Sequence, residues 1–364
     1  MINDDRIVMT LDAGGTNLEF NAVRGGLEII EPVNLSAEAT SLDEILRKII
    51  KGFEIVKSRI IEQPVAISFA FPGPADFENG IIGDLQNLPV FRGGVALGKM
   101  LKNEFKIPVF INNDGDLFTY GEAMSGLLPK INEMLEKGGI TKRYYNLLGV
   151  TLGTGFGGGI VTHGKLFLGD NSAAGEINRM RNRFFQQTSV EDSVTIRAVM
   201  KSYQDAASIN SDDVPVPKEI FEIAKGEKIG DKAAAKKAFK ELAISAADAI
   251  ADAVTLIDGL VVIGGGLSGA FSVFLDDIVE EMNHKYTTLK GENIDRMEVT
   301  AYNLENNFNE FRKDTSSNIT VPFSNEKVKY DPIKKIGVGI TRLGTSKAVS
   351  VGAYAFALDK LGRK

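Results

Sequence analysis

Two adjacent glycines behind a carboxylate form the pattern in this sequence that is best suited to binding phosphate. Residues 11–17 read Leu-Asp-Ala-Gly-Gly-Thr-Asn. Gly14 and Gly15 allow backbone N–H groups to approach an anion, because no Cβ stands in the way. Asp12 can hold a divalent cation through water, and Thr16 can donate a hydroxyl hydrogen bond to phosphate. The stretch predicts a phosphate-binding loop, and an ordinary tight hairpin turn is the alternative.

Two later glycine clusters could also contact a nucleotide. Residues 152–159 read Leu-Gly-Thr-Gly-Phe-Gly-Gly-Gly and echo the first motif, which predicts a second phosphate loop. The residues of this predicted loop are Gly153, Thr154 and Gly155. Gly264-Gly265-Gly266 follows a strand-like run and precedes an apparent helix over 270–282, a junction suited to an anion or a ribose. The alternative for this third cluster is the plain start of a helix. Because a nucleoside triphosphate needs donors from two sides, the echo favours binding over chance.

A carboxylate at the end of a short apolar run is the candidate catalytic base. Asp114 follows Val109-Phe110-Ile111 within Asn112-Asn113-Asp114-Gly115, a sharp segment that exposes its side chain. Phosphoryl transfer to an alcohol depends on positioning and charge neutralisation, with a carboxylate that accepts the hydroxyl proton. The alternative is an Asx-turn residue without a catalytic role.

The elements that must position these residues alternate between strand-like and helix-like patterns. Strands are predicted on both sides of residues 12–17, whereas a Walker-type loop would lead into a helix and carry Gly-Lys-Ser/Thr, which is absent. Further strands are predicted over 65–71, 109–111, 147–152 and 260–263, and helices over 233–257 and 349–361. The repeated motif suggests a duplicated architecture with a nucleotide cleft between its halves. Residues 291–335 are polar and poorly periodic, which indicates an insertion or a flexible surface element.

Composition argues against several classes of protein. At 364 residues the chain is long for one core, so two domains are expected. A net charge of −6 without a dense Lys/Arg block disfavours a nucleic-acid surface, and the absence of cysteine excludes disulfides and thiolate metal sites. Residues 1–6 lack the basic start of a secretion signal, and no apolar run approaches the roughly 20 residues of a membrane span. We therefore expect a cytoplasmic protein with neither a membrane nor a nucleic acid as partner.

In their order and spacing these motifs resemble those of the ROK family of sugar kinases, within the hexokinase–actin–Hsp70 superfamily. The similar segments are Asp12-Ala13-Gly14-Gly15-Thr16, Pro72-Gly73-Pro74-Ala75-Asp76, Asn87-Leu88-Pro89, Asn113-Asp114, Leu152-Gly153-Thr154-Gly155, Ala174-Gly175-Glu176-Ile177 and Gly264-Gly265-Gly266. The resemblance implies an α/β fold with two ribonuclease-H-like (actin-like ATPase) domains and a nucleotide and sugar cleft between them. It places the first domain at 1–115, with the helix at about 349–362 returning to it, and the larger second domain at 116–348.

The resemblance also implies an activity, ATP-dependent phosphorylation of a hexose or N-acetylhexosamine, at the 6-hydroxyl. Asp114 would deprotonate that hydroxyl, Asp12 would position Mg²⁺ through water, and closure of the domains would exclude water. The implied ATP-binding residues are Asp12, Gly14, Gly15, Thr16, Asn17, Gly153, Thr154, Gly155, Gly264, Gly265 and Gly266. The implied sugar-binding residues are Asn87, Asn113, Asp114, Glu176 and Glu191. Which sugar is used stays open, as does the oligomeric state, although homodimers are common in the family.

The sequence departs from the family pattern at the motif that binds zinc in most relatives. Most relatives follow Ala-Gly-Glu-Ile with Gly-His and three downstream cysteines that together bind zinc, whereas this chain has Asn178-Arg179 and no cysteine. We therefore expect no zinc site, and a loop before Glu191 that is stabilised without metal. Arg179 could replace the histidine contact, bind an acidic substrate group or lie on the surface.

Two rival functions remain at this stage. The family includes sugar-responsive repressors with an N-terminal helix-turn-helix domain, for which the start of the first motif at residue 11 leaves no room. The acidic net charge also disfavours DNA. The other rival is a catalytically silent sugar-binding protein, against which the retained Asp12, Asp114 and glycine loops speak.

Overall fold

The computed structural model describes residues 4–13, 17–73, 75–83 and 90–362. Its first elements are β1 (Val8–Ala13), β2 (Asn17–Arg24), β3 (Leu27–Glu28), β4 (Val33–Ser36), α1 (Leu42–Arg59), β5 (Ala66–Ala70), β6 (Ala75–Asp76), β7 (Ile81–Ile82), α2 (Leu97–Phe105), β8 (Val109–Asn112), α3 (Asp114–Ser125) and α4 (Leu127–Lys137). The remaining ones are β9 (Leu147–Leu152), β10 (Phe156–Thr162), β11 (Lys165–Leu166), α5 (Ile196–Ala207), α6 (Pro217–Lys225), α7 (Lys232–Ile257), β12 (Leu260–Gly264), α8 (Leu275–Met282), β13 (Lys285–Thr287), β14 (Asn293–Asp295), β15 (Thr300–Asn303), α9 (Phe308–Phe311), β16 (Ser317–Thr320), β17 (Lys327–Tyr330), β18 (Lys335–Ile340) and α10 (Thr345–Lys360).

The chain divides into two compact units. The first comprises Met1–Pro129, Gly158–Gly175 and Thr341–Lys364, and the second comprises Lys130–Gly157 and Glu176–Ile340. The first unit thus extends beyond the boundary at residue 115 that the sequence suggested, because α3 packs against α10 inside it. The C-terminal helix α10 lies in this unit.

The sheet of the first unit is mixed, with an antiparallel hairpin at one side and parallel strands at the other. Its strand order is β3-β2-β1-β5-β8, with β4 beside β2. β1 and β2 are antiparallel and in register from Val8 opposite Val23 to Ala13 opposite Leu18, so the hairpin predicted from the first motif is confirmed. β5 is parallel to both β1 and β8, so the carboxyl ends of these three strands lie at one edge. This edge carries Asp12 and Asp114.

The second unit contains a parallel arrangement of four strands. Their order is β9-β12-β18-β15, and each neighbouring pair is parallel. The strands predicted over 147–152 and 260–263 are confirmed as β9 and β12, and the long helix as α7, whose alanine-rich face is buried.

The polar stretch 291–335, predicted to be an insertion or a surface element, lies only partly on the surface. β15 lies within it and belongs to the sheet, with Ala301 and Asn303 buried. Because this strand has only four residues and ends in an asparagine, the sequence shows no alternating apolar pattern that would predict it. The β16–β17 hairpin is exposed throughout, as the polar composition suggested.

Two glycines allow α3 and α10 to pack at backbone contact. A Cβ on Gly121 would lie 1.9 Å from the carbonyl oxygen of Ala348, and one on Gly352 would lie 1.8 Å from that of Leu117. Side chains cannot occupy either space, so the two helices are fixed against each other through their main chains.

Replacing Gly352 by alanine is therefore expected to destabilise the protein by about 3 kcal/mol, since the added methyl group must push the helices apart. Denaturant unfolding measures the loss. Gly73→Ala is the matched control, because among the described residues the nearest atom beyond its chain neighbours would lie 3.8 Å from the added Cβ. Equal stability of the two variants would contradict the described packing.

No helix within the described residues is both long enough and apolar enough to cross a membrane.

Candidate active site

Asp114 lies where β8 ends and α3 begins, in the first unit. Asn113 is the N-cap of α3, and its Oδ1 accepts a hydrogen bond of 2.7 Å from the Gly115 N–H. The same N–H donates to Asp114 Oδ1 at 2.8 Å. Asn112 is buried and accepts from the Asn113 N–H at 2.8 Å. The segment is thus held by its own side chains, which fixes the Asp114 carboxylate at the helix N-terminus.

The surroundings of Asp114 make its carboxyl group more basic than usual. The residue is open to solvent, but protein atoms crowd around its carboxyl group, and this desolvation raises its pKa. Hydrogen bonds from the N–H groups of Gly115 and of Asp114 itself act in the opposite direction. A solvent-accessible carboxylate with a raised pKa suits proton acceptance from an alcohol.

Asp12 is a second carboxylate at the same sheet edge. It is half-buried near the end of β1. Desolvation raises its pKa, a hydrogen bond from the Ser346 side chain lowers it, and the charge of Asp114 raises it. Ser346 lies in the first turn of α10. Because β1 and β8 are both parallel to β5, the structure places Asp12 and Asp114 at the same edge of the sheet.

Sequence reasoning missed a third carboxylate, Glu19. It lies directly opposite Asp12 in the β1–β2 register, and burial, Asp12 and Glu28 all raise its pKa. The signal was present in the hairpin itself. Strands that pair Leu11 with Phe20 must also pair Asp12 with Glu19.

These carboxylates fit a magnesium ion that is shared with a nucleotide. Among the described residues, the groups that shift the pKa values of Asp12 and Glu19 are other carboxylates and one serine hydroxyl, with no cation. Mg²⁺ takes oxygen ligands and typically uses one or two carboxylates together with phosphate oxygens and water. In the described part of the chain, no three His, Asp or Glu side chains could hold a metal ion by themselves. Asp12 therefore suits Mg²⁺ bound jointly with phosphate, and the expected lack of zinc stays a prediction.

The raised pKa of Asp114 has a consequence for stability. Because the pKa is higher in the folded than in the unfolded chain, the carboxyl's contribution to stability is complete below the unfolded pKa and is lost as pH rises through the folded pKa. Asp114→Asn is therefore expected to be more stable than the wild type at neutral pH without nucleotide. The difference should shrink as the medium is acidified, which urea unfolding at several pH values measures. A wild type that gains relative stability with rising pH would contradict the shift.

The second predicted phosphate loop connects β9 and β10. Within it, the Gly153 N–H donates to the Gly155 carbonyl at 3.0 Å, and the Gly153 carbonyl accepts from the Ile196 N–H at 2.9 Å. Thr154 is exposed. Glu191 Oε2 accepts from the Phe156 N–H at 3.0 Å. Glu191, a predicted sugar residue, thus supports this loop, an interaction that sequence reasoning missed.

The third glycine cluster packs against the start of the same loop. Gly265 has φ +85°, and a Cβ there would lie 2.3 Å from the carbonyl oxygen of Leu152. The Leu267 N–H donates to that oxygen at 2.9 Å. The structure therefore brings the glycines at 264–266 together with the 153–155 loop.

The helix predicted over 270–282 is wrong in its first part. Residues Ser268–Val273 form a 3₁₀ helix, and the α-helix α8 begins only at Leu275. The N–H groups of Ser268 and Ala270 donate to the carbonyls of Gly265 and Leu267, so these donors are already used. Nucleotide binding by Gly264, Gly265 and Gly266 stays a prediction.

The other predicted residues are distributed between the two units. Asn113 adjoins Asp114 in the first unit, and Asn17 begins β2 opposite Ser36. Glu176 is exposed at the start of the 3₁₀ helix Ile177–Arg179 in the second unit, and Arg179 is exposed as well. The predicted residues Gly14, Gly15, Thr16 and Asn87 lie outside the described residues.

The loop in which the resemblance places zinc in most relatives is held here by an amide. Asn182 is fully buried, and its Nδ2 donates to the Ser189 carbonyl at 3.2 Å and to Ser193 Oγ at 2.8 Å. Its Oδ1 accepts from the N–H groups of Phe184 and Phe185 at 2.9 and 3.1 Å. One side chain therefore ties together both ends of the loop.

Ion pairs fasten the same loop to the helices behind it. Arg183 pairs with Glu281 of α8 and, at 3.7 Å, with Asp248 of α7. Arg296 is only 4% exposed and binds Asp248 at 2.8 Å and Asp252 at 3.2 Å. This network holds the loop against α7 and α8 through residues that sequence reasoning did not identify.

The mixed sheet of the first unit, with the β1–β2 hairpin beside parallel strands, belongs to the ribonuclease-H-like, actin-like ATPase class of α/β fold, as predicted. The ROK family model matches residues 8–307, and the chain belongs to the ROK family.

Comparisons with individual proteins agree with this family assignment. The structure of a glucokinase from Parabacteroides distasonis is 52% identical and aligns with a TM-score of 0.87 over 98% of this chain and 99% of its own. A ROK family glucokinase from Streptomyces griseus, solved with glucose and AMPPNP, is 19% identical, covers 96% and 98% of the two chains and has a TM-score of 0.61, so it supports the fold alone. The N-acetyl-D-glucosamine kinase of Vibrio cholerae is 31% identical over 47% of this chain and 51% of its own. This chain thus spans about half the length of that curated relative.

Proposed function

We propose that this protein is an ATP-dependent sugar kinase whose catalytic base is Asp114. The observation that carries the proposal is the Asp114 carboxylate itself, fixed at the N-terminus of α3, accessible to solvent and more basic than usual. Phosphoryl transfer needs such a group to accept the proton of the attacking hydroxyl. The coupled carboxylate of Asp12 supports the same reading.

The nucleotide is assigned to the glycine loops. The backbone of residues 153–155 and of 264–266 would cradle the phosphates and the ribose, together with residues 14–17. Asp12 would hold Mg²⁺ through water, and the bound ion would neutralise charge on the phosphate oxygens.

The sugar is assigned to amide and carboxylate side chains. Asn113, Asp114, Glu176 and Glu191 would bind adjacent hydroxyl groups, with Asn87 as a further partner. Glu191 has one oxygen committed to the Phe156 N–H, so its other oxygen would meet the sugar.

Glucose is the first candidate among the hexoses, and the 6-hydroxyl is the proposed acceptor. The glucokinase of Parabacteroides distasonis is 52% identical over nearly the whole of both chains. The similarity to the N-acetyl-D-glucosamine kinase of Vibrio cholerae covers only half of each chain. N-acetylglucosamine is therefore the second candidate.

The regiochemistry is tested by identifying the product with ³¹P NMR. We expect glucose 6-phosphate from glucose and ATP. 6-Deoxyglucose is the matched control, because it keeps the other hydroxyl groups and should bind without being phosphorylated. Phosphorylation of 6-deoxyglucose would refute the assignment of the 6-hydroxyl.

A further inference from the structure

Asn182 is a fully buried amide of the second unit that the proposed chemistry does not use. Three of its partners are main-chain groups with fixed roles, because a carbonyl can only accept and an N–H can only donate. The Ser189 carbonyl therefore faces its Nδ2, and the N–H groups of Phe184 and Phe185 face its Oδ1. With the Ser193 hydroxyl as second acceptor, the amide uses both of its N–H groups and both lone pairs. Its burial leaves no polar atom unsatisfied.

The two acceptors of Asn182 lie on either side of Glu191. Ser189 comes two residues before Glu191 in the sequence, and Ser193 comes two residues after it. Glu191 itself belongs to the 3₁₀ helix Val190–Ser193. One buried side chain thus binds both ends of the turn that carries Glu191, so the turn cannot shift without breaking one of these two hydrogen bonds.

Glu191 in turn lies against the predicted phosphate loop between β9 and β10. Its Oε2 accepts from the Phe156 N–H at 3.0 Å, and a Cβ on Gly155 would lie 3.1 Å from the same oxygen. The segment that follows the turn binds the loop a second time, since the Ile196 N–H donates to the Gly153 carbonyl at 2.9 Å. A displacement of the Glu191 carboxylate would therefore release the Phe156 N–H and alter the loop backbone.

We propose that Asn182 is a positioning residue, which holds the turn around Glu191 so that the Glu191 carboxylate shapes the 153–155 loop for nucleotide phosphates. The inference rests on the proposed function of that loop. It also explains why an amide occupies this position. An aspartate has the same shape, but it would face the Ser189 carbonyl with an oxygen, so only the amide can bind acceptors and donors at once.

A double-mutant cycle with Asn182→Ala and Glu191→Ala tests the proposal, with AMPPNP and Mg²⁺ as the probe and calorimetry as the measurement. We expect Asn182→Ala to weaken AMPPNP binding about fivefold, the effect of roughly one lost hydrogen bond. Glu191→Ala should weaken it at least as much. The double variant should bind no more weakly than Glu191→Ala alone, because Asn182 acts only through Glu191. Effects that multiply would overturn the proposal, since they would make the two residues independent.

Hydrogen exchange gives a second readout that needs no ligand. The Phe156 amide should exchange faster in Asn182→Ala than in the wild type, because the carboxylate that accepts its hydrogen bond is no longer held in place. Unchanged exchange at this amide would overturn the proposal.

Asn303→Ala is the matched control for the loss of a buried amide in the same unit. Asn303 is 1% exposed, its Nδ2 donates to Asp276 Oδ1 at 2.6 Å, and its Oδ1 accepts from the Glu305 N–H at 2.9 Å. We expect a comparable loss of unfolding free energy, with AMPPNP affinity and Phe156 exchange unchanged. If Asn303→Ala changed both as much as Asn182→Ala, general destabilisation would explain the effect and the proposal would fail.

Two further arms separate the causes of failure. If Asn182→Ala does not fold, Ser193→Ala removes one acceptor of the amide and leaves its other hydrogen bonds in place. This variant should change Phe156 exchange and AMPPNP affinity in the same direction by a smaller factor, and unaltered values would count against the proposal. If the wild type does not bind AMPPNP, the proposed function fails, and exchange at Phe156 still decides whether Asn182 positions the loop.

Discussion

Asp114→Asn is expected to lower kcat for sugar phosphorylation by about 10²–10⁴-fold, the range for removal of a general base. Asparagine keeps an oxygen for the Gly115 N–H, so the start of α3 should be preserved. What it loses is the ability to accept the proton of the sugar hydroxyl. A coupled assay of ADP formation with saturating sugar and ATP measures the loss.

The control for this variant is Asp43→Asn, which alters an exposed carboxylate of α1 in the same unit. It should retain wild-type activity. Calorimetry on Asp114→Asn should still detect binding of AMPPNP, which would show that only the chemical step is impaired. Turnover by Asp114→Asn within a few-fold of the wild type would remove the catalytic assignment.

Gly265→Ala is expected to weaken nucleotide binding and to destabilise the second unit. The new methyl group would lie 2.3 Å from the Leu152 carbonyl oxygen, and φ +85° is unfavourable for alanine. Because Leu152 leads directly into the 153–155 loop, relief of the clash must displace that loop. We expect an AMPPNP affinity at least about tenfold weaker, and a loss in unfolding free energy of about 2 kcal/mol.

Gly269→Ala is the matched control for this second prediction. It lies in the neighbouring 3₁₀ helix, no atom of the described residues outside its chain neighbours lies within 4 Å of the Cβ that would be added, and its φ is not positive. It should keep both affinity and stability. If Gly265→Ala binds AMPPNP as tightly as Gly269→Ala, the third glycine cluster does not support the nucleotide loop.

Local sequence patterns were sufficient to predict the elements that carry the candidate site residues. Alternating apolar residues on both sides of the Gly14-Gly15 pair predicted the β1–β2 hairpin, because strand pairing follows from short-range turn geometry. Asp114 was found in the same way, since a polar residue directly after a buried strand must lie at a sheet edge. Both inferences needed only neighbours in sequence.

The support of the site could not be predicted in this way because it depends on distant pairs. Glu191 meets Phe156, and Ile196 meets Gly153, across separations that no periodic pattern encodes. Asn182 has the same character, because a buried asparagine and an exposed loop asparagine look alike in sequence. The helix predicted over 270–282 was wrong in its first part, because residues Ser268–Val273 form a 3₁₀ helix that uses N–H groups which the start of an α-helix would have left free.

The most direct test of the kinase proposal is an assay of the purified wild-type protein with ATP, Mg²⁺ and a panel of hexoses and N-acetylhexosamines. ADP and sugar phosphate are quantified together. The account predicts equal amounts of the two products, with the highest kcat/KM for glucose and no sugar phosphate when Mg²⁺ is chelated. Binding of a sugar by calorimetry without ADP or sugar phosphate from any member of the panel would contradict it and would identify a sugar-binding protein without catalysis.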